Sequence, residues 1–343
     1  PEQLAWHEVE MYALVCFNLV TFEDKEWGYG DADPAIFNPS GFSADQIVNS
    51  AREGGLNGII LVCKHHEGFC LWPTKTTEYN ISKSPWKNGQ GDMVKEFQLA
   101  CEKAGMKFGV YLSPWDRNSA VYGEAGYIPI YYEQLRELLT GYGELFEVWF
   151  DGANGGDGWY GGADTIRNID RFSYYGWDSI YKIVRELQPN AVIFSDMGDV
   201  RWVGNEEGFA GETSWCMYTP KGKDDDSKPA PGYTKYWEGS EGHIDGRYWM
   251  PSECDFSIRP GWYYHESQND AVKSSEVLFD HYLKTVGRNA SFNLGLPPDT
   301  RGLMHENDVK SLRGFREILK QAFKSNLAIR SKIKADVNRR GYQ

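Results

Sequence analysis

The chain has 343 residues, of which 41% are hydrophobic and 25% charged, and its formal net charge is −13. That acidity argues against a nucleic-acid binder, which needs a basic surface, and no apolar run reaches the roughly 18 residues of a membrane span. Aromatic residues are in excess at 15% of the chain, with 13 Trp, 21 Tyr and 17 Phe, many of them in Gly-rich loop sequence, where rings offer flat platforms to the apolar faces of sugars.

Short apolar runs alternate with amphipathic stretches, the pattern of βα units around a parallel sheet. In chain order, strands are expected at 11–17, 58–63, 108–113, 146–151, 191–195, 211–216 (the weakest), 250–258 and 291–296. Helices are expected between them at 44–52, 93–104, 131–140, 177–187, 275–286 and 309–325, with Ser43 capping the first. Eight such strands without a low-complexity linker predict the α/β class and a (β/α)8-like TIM barrel over residues 1–325. Beyond it, 326–343 turns basic at Arg330, Lys332, Lys334, Arg339 and Arg340 and reads as a tail or linker. The six cysteines lack close metal-ligand spacing and several sit in apolar runs, so buried free thiols are expected.

Barrel enzymes keep their chemistry at the C-terminal ends of the strands. The fourth strand ends in Val148-Trp149-Phe150-Asp151-Gly152, a carboxylate at a strand tip. On these residues alone, catalysis and a simple Asp-Gly turn remain equal alternatives. The segment 193–208 offers Asp196, Asp199, Glu206 and Glu207 beside Arg201. Glycoside hydrolysis needs two carboxyl groups, and a Glu near Trp202 and Val203 would gain the raised pKa of a proton donor. A solvated acidic loop is the competing reading. The pair His65-His66 follows the second strand; strand alternation would send its rings to opposite sides, which suits sugar hydroxyls better than chelation of one ion. Ser113-Pro114-Trp115-Asp116 ends the third strand in the same polar manner. In 251–259, Glu253 and Asp255 share one strand face, as partners of Arg259 or as groups that orient substrate.

At this point the chain resembles glycoside hydrolase family 29, the α-L-fucosidases, and looks closest to the subfamily active on α-1,3 and α-1,4 linked fucose. The resemblance rests on Thr21-Phe22-Glu23-Asp24-Lys25-Glu26-Trp27-Gly28 and on 64–73, 109–118, 148–154, 200–206, 251–265 and 291–305. It implies a catalytic barrel, hydrolysis with retention, fucosylated glycans as substrates, no metal or organic cofactor, and a secreted or periplasmic setting. It further implies that Asp151 is the nucleophile and Glu206, rather than Glu207, the acid/base. His65 and His66 would bind fucose hydroxyls, and Trp149 would lie beside the sugar. Glu26, Trp27, Trp115 and Asp116 would line the pocket or the aglycone side, with Arg201 a charged neighbour of the acid/base.

The pattern breaks at Cys16, where similar enzymes carry a histidine that contacts fucose. Alternation along the first strand should still turn this thiol into the pocket, with Val15 and Phe17 facing the surrounding layer. The family often carries a C-terminal β-sandwich, which 326–343 would link. The alternatives to a fucosidase are an exo-glycosidase of altered sugar specificity and a fucose-binding protein with weak turnover.

Overall fold

The structure, a computed structural model, describes residues 1–224 and 227–332, so most of the basic tail, including Lys334, Arg339 and Arg340, lies outside the described residues. One sheet contains eight parallel strands: β1 (Met11–Val15), β2 (Gly58–Lys64), β3 (Lys107–Leu112), β4 (Glu147–Trp149), β5 (Val192–Phe194), β6 (Arg201–Trp202), β7 (Ser252–Ser257) and β8 (Ser291–Leu296). Their order is β5-β4-β3-β2-β1-β8-β7-β6. A parallel bridge from Phe194 to Val200 joins the two edges, so the sheet is a nearly closed barrel, the expected architecture.

Alternation along each strand sorts its side chains into two layers. Tyr12, Leu14 and Cys16, Ile60 and Val62, Tyr111, Trp149, and Val192 and Phe194 pack together inside the barrel. Ala13, Val15 and Phe17, Ile59, Leu61 and Cys63, Val110, Val148, Ile193, and Phe292 and Leu294 face outward into the larger core shared with the helices. Strands buried on both faces read as continuous apolar runs, which is why most were legible.

Around the barrel and across its ends lie helices α1 (Glu2–His7), whose Trp6 packs with the interior residues, α2 (Ala44–Glu53), α3 (Met93–Ala104), α4 (Tyr127–Gly141), α5 (Trp177–Leu187), α6 (Tyr236–Gly239), α7 (Ser275–Lys284) and α8 (Glu306–Ala322). Ser43 caps α2 as expected, its Oγ accepting from Gln46 N at 3.1 Å. Helix α4 begins four residues before its expected start, because Pro129 lies in the first turn, where its missing N–H costs nothing. Helix α8 begins at Glu306 behind a His305 side-chain cap, an acidic first turn that the apolar spacing did not mark.

The expected sixth strand at 211–216 is absent; that stretch is bends and irregular chain. The barrel position belongs instead to β6, only two residues long, where Arg201 pairs with Ser252 and Trp202 with Glu253. No helix separates β5 from β6. The six-residue connection is held by Asp199, whose Oδ2 accepts Ile193 N at 2.7 Å. All six cysteines are free, five of them buried. No described helix is long and apolar enough to cross a membrane.

Candidate active site

Two adjoining cavities open at the C-terminal ends of the strands, an inner one of about 140 Å³ and an outer one of about 300 Å³. Trp149, Asp151, Glu206 and Asp255 line both. A larger cavity of about 690 Å³ lies at the other mouth of the barrel, against Trp6, Phe108 and Phe146, and none of the candidate residues lines it.

Asp151 follows β4 and is half-buried. Tyr111 O–H donates to its Oδ2 at 2.9 Å and Ala153 N–H to its Oδ1 at 2.7 Å, which fixes the carboxylate's rotamer. His66 Nε2 stands 3.9 Å from the same Oδ2, while His66 Nδ1 meets Ser113 Oγ at 2.8 Å. Burial, then the neighbouring His65, pushes the His66 imidazole well below its ordinary range, so the ring is neutral at Asp151's side.

The two histidines do not diverge as strand alternation predicts. Strand β2 ends at Lys64 after a register shift, and both rings turn into the inner cavity with centroids 4.0 Å apart. Lys64 points the other way, its Nζ bonded to Tyr127 and Gln134 at 2.9 Å and to Asp116 at 3.4 Å. That contact corrects the expectation for Asp116. Its carboxyl turns to Lys64 and to the Asn118 and Ser119 amides, and it lines neither cavity. Trp115 stands behind the wall rather than in it, its ring 5.4 Å from His66 and 5.7 Å from Trp27. Trp27 does line the inner cavity, and so does Cys16, buried above Leu14 as the alternation requires.

Glu206 is presented by the turn after β6. Gly204 has φ +92, and a Cβ there would meet the Tyr236 carbonyl at 1.9 Å, so only glycine lets the chain bend here. Asn205 then closes the turn through Phe209 O and Glu207 N. Trp262 Nε1 donates to Glu206 Oε2 at 3.3 Å. Of the other carboxyls in this segment, Asp199 pairs with Arg185, Glu207 lines neither cavity, and Asp196 lines the outer cavity while accepting from Gly232 N–H and Thr234 Oγ1–H. Burial holds Asp196 up at about 6.

Arg201 is not the acid/base's neighbour. Its parity on β6 is opposite to that of Trp202, and its guanidinium is locked on the Gly239 and Trp215 carbonyls at 2.8 Å and on the Met250 carbonyl. The expected pairing of Arg259 with Glu253 or Asp255 also fails, since Arg259 forks onto Asp308 at 2.8 Å. Glu253 is fully buried beneath the pocket, where it accepts from Trp149 Nε1 at 2.8 Å. Asp255 faces the cavities and takes Trp202 Nε1 at 2.6 Å. Burial, then the charges of Glu253 and Glu206, pushes Asp255 well above the usual carboxylate range. Tyr111, Tyr263 and Trp262 are further cavity residues that motif reading passed over, although inward parity on β3 marks the first.

The arrangement matches known proteins. A profile of the α-L-fucosidase family covers residues 2–322. The chain belongs to the α-L-fucosidase family. It is 43% identical over 330 residues to Alpha-L-fucosidase 1 of Arabidopsis thaliana, covering 95% of this chain and 61% of that protein. It superposes with TM-score 0.92 and 47% identity on a glycoside hydrolase 29 family member from an unknown rumen bacterium, over 98% of this chain and 60% of that one. A Ruminococcus gnavus family 29 fucosidase solved in complex with fucose matches with TM-score 0.79 and 31% identity, over 95% of this chain and 68% of that one. The chain therefore spans about three-fifths of the length of the curated relatives it matches.

Proposed function

We propose that this chain carries the catalytic centre of a retaining exo-α-L-fucosidase acting on terminal α-1,3 and α-1,4 linked fucose of branched glycans. The observation that carries the reading is the junction of the two cavities, where Asp151 and Glu206 face the same space between imidazole and indole walls. The inner cavity takes the fucosyl ring against His65, His66 and Trp149; the outer one takes the next sugar.

In the first step an Asp151 oxygen bonds to the anomeric carbon as the glycosidic C–O bond breaks, and Glu206 gives its proton to the departing oxygen. Glu206, now a carboxylate, takes a proton from water as that water displaces Asp151 and releases fucose. Tyr111 and the Ala153 amide hold the nucleophile in place. Asp255, kept neutral by burial, presents an O–H to a sugar oxygen at the junction. Retention requires the two catalytic carboxyls to stand about 5–5.5 Å apart around the bound sugar.

Hydrolysis of 4-nitrophenyl α-L-fucoside against a panel of nitrophenyl glycosides and Lewis-type oligosaccharides tests this reading, with NMR identifying the anomer released first. The reading expects cleavage of fucosides and an α-fucose first product. Efficient cleavage of another sugar with the fucosides inert would overturn the substrate; an inverted first product would overturn the double displacement.

A further inference from the structure

We propose that His265 is a positioning residue whose imidazolium latches two loops of the pocket rim together, the one carrying Glu26 and Trp27 to the one carrying Trp262 and Tyr263. This rests on the fucosidase reading only for its catalytic consequence. His265 Nδ1 lies 2.6 Å from Asp24 Oδ1 and its Nε2 lies 2.7 Å from Glu26 Oε1. A neutral imidazole has one N–H and one lone pair, so it satisfies one such acceptor and repels the other; only the doubly protonated ring donates to both.

Glu26 was expected to touch substrate. It reaches the wall of the inner cavity, yet its oxygens are taken by the second loop: Oε2 by Trp262 N–H at 2.9 Å, and Oε1 by Tyr263 N–H at 3.4 Å and by His265. The approach is close enough that a Cβ at Gly261 would come within 2.0 Å of Glu26 Oε1. From this anchor Trp262 extends its indole N–H to Glu206 Oε2 at 3.3 Å. The latch thus reaches both the sugar-facing wall and the carboxyl assigned as acid/base.

Burial works against a charged His265 ring, but the bonds and charges of Asp24 and Glu26 outweigh it and raise its pKa. The other ionisable neighbours do not reach the ring nitrogens. Arg259 touches only the His265 carbonyl at 3.5 Å and is neutralised by Asp308, Lys25 pairs with Glu23 at 2.7 Å, and His305 packs on Tyr264. The sign follows. A ring whose folded pKa is raised keeps its latch at low pH and loses it as pH climbs through that raised value, above 6.5.

The test is a side-chain nitrogen NMR titration of the imidazoles, with His265→Gln assigning the signal and the Trp262 indole N–H followed across the same range. A midpoint above 6.5 for His265, with the Trp262 signal moving at that midpoint, is expected. A midpoint at or below the ordinary value, or a Trp262 signal that ignores it, overturns the latch. In parallel, kcat/KM on a nitrophenyl fucoside is measured against pH. His265→Gln should lower it about tenfold at pH 6, mainly through KM, and should lack the wild type's latch-dependent fall at high pH. His265→Arg, a cation at every pH with a forked donor set, should restore most of the activity and also lack that fall. Profiles of all three that run parallel overturn the positioning role. Absence of turnover in every variant with a raised, Trp262-coupled midpoint would instead count against the fucosidase reading alone.

Discussion

Replacing each of two buried glutamates should have opposite consequences, because one holds a proton and the other holds the pocket. Glu147 and Glu253 are both fully buried inside the barrel beneath the site. Glu253 Oε1 accepts Trp149 Nε1–H at 2.8 Å and Asn293 Nδ2–H at 3.1 Å, and its Oε2 accepts Tyr12 O–H at 2.5 Å. Glu147 has one such donor, Trp6 Nε1–H at 2.6 Å. Burial, then the charge of Glu253, pushes Glu147 far above the carboxylate range; burial raises Glu253 as well, while its Trp149, Tyr12 and Asn293 donors favour its ionised form. Glu147→Gln reproduces that neutral acid, since its carbonyl can accept from Trp6 Nε1–H. A carboxyl with a raised folded pKa stabilises the native state below its unfolded pKa and loses that contribution as pH rises. Each retained proton therefore costs about 1.4 kcal/mol per pH unit above roughly pH 4.5. Glu147→Gln should remove one such slope and be the more stable protein at pH 8. Glu253→Ala should orphan the Trp149 and Asn293 donors at about 1–3 kcal/mol each and open a cavity, while Tyr12 can turn to Ser291 Oγ at 2.9 Å. A loss of about 3–6 kcal/mol follows, with Tm lower by about 4–8 °C for a chain of this length. Urea denaturation at pH 5 and pH 8 measures both. The reasoning fails if Glu147→Gln keeps the wild-type pH slope, or if it is as damaging as Glu253→Ala at pH 8.

Three further outcomes concern the site. Asp151→Gly should lower turnover by several orders of magnitude, and added azide should partly restore it and yield a fucosyl azide of inverted configuration; near-native activity would remove Asp151 from its role. Asp255→Asn, which keeps an acceptor for Trp202 and an N–H for the sugar, should retain far more kcat/KM than Asp255→Ala, for which a fall of about tenfold is expected. Equal losses in both variants would mean that Asp255 works as an anion. Cys16→His should change KM for simple fucosides more than kcat, because a contact equal in ground and transition states alters binding alone; unchanged kinetics would return Cys16 to an ordinary buried thiol.

The architecture was legible where burial on both faces makes a strand apolar throughout, as in Gly58–Lys64 and Ser291–Leu296. It was illegible at β6 because two residues, one of them arginine, carry no pattern at all. What makes Arg201–Trp202 a strand is its neighbour Ser252–Ser257, a contact between residues some fifty positions apart. The site followed the same division. Asp151, Glu206 and Cys16 could be placed from a strand tip, a motif and a parity, and each faces the cavities.

The misplacements share one physical origin: a charged group next to a motif goes wherever its charge is best satisfied. Parity decides that direction only while the chain remains a strand. Arg201 is within β6, so its outward course could have been inferred once Trp202 was taken as inward; three carbonyls then secure it. His65, His66 and Asp116 lie past the ends of their strands, where parity no longer applies, and a buried Lys64 is what draws Asp116 out of the pocket. Glu26 shows the same rule at the rim. A carboxylate that accepts from two amides and an imidazole is oriented before a substrate arrives, so Glu26 fixes the shape of the wall it lines in the inner cavity.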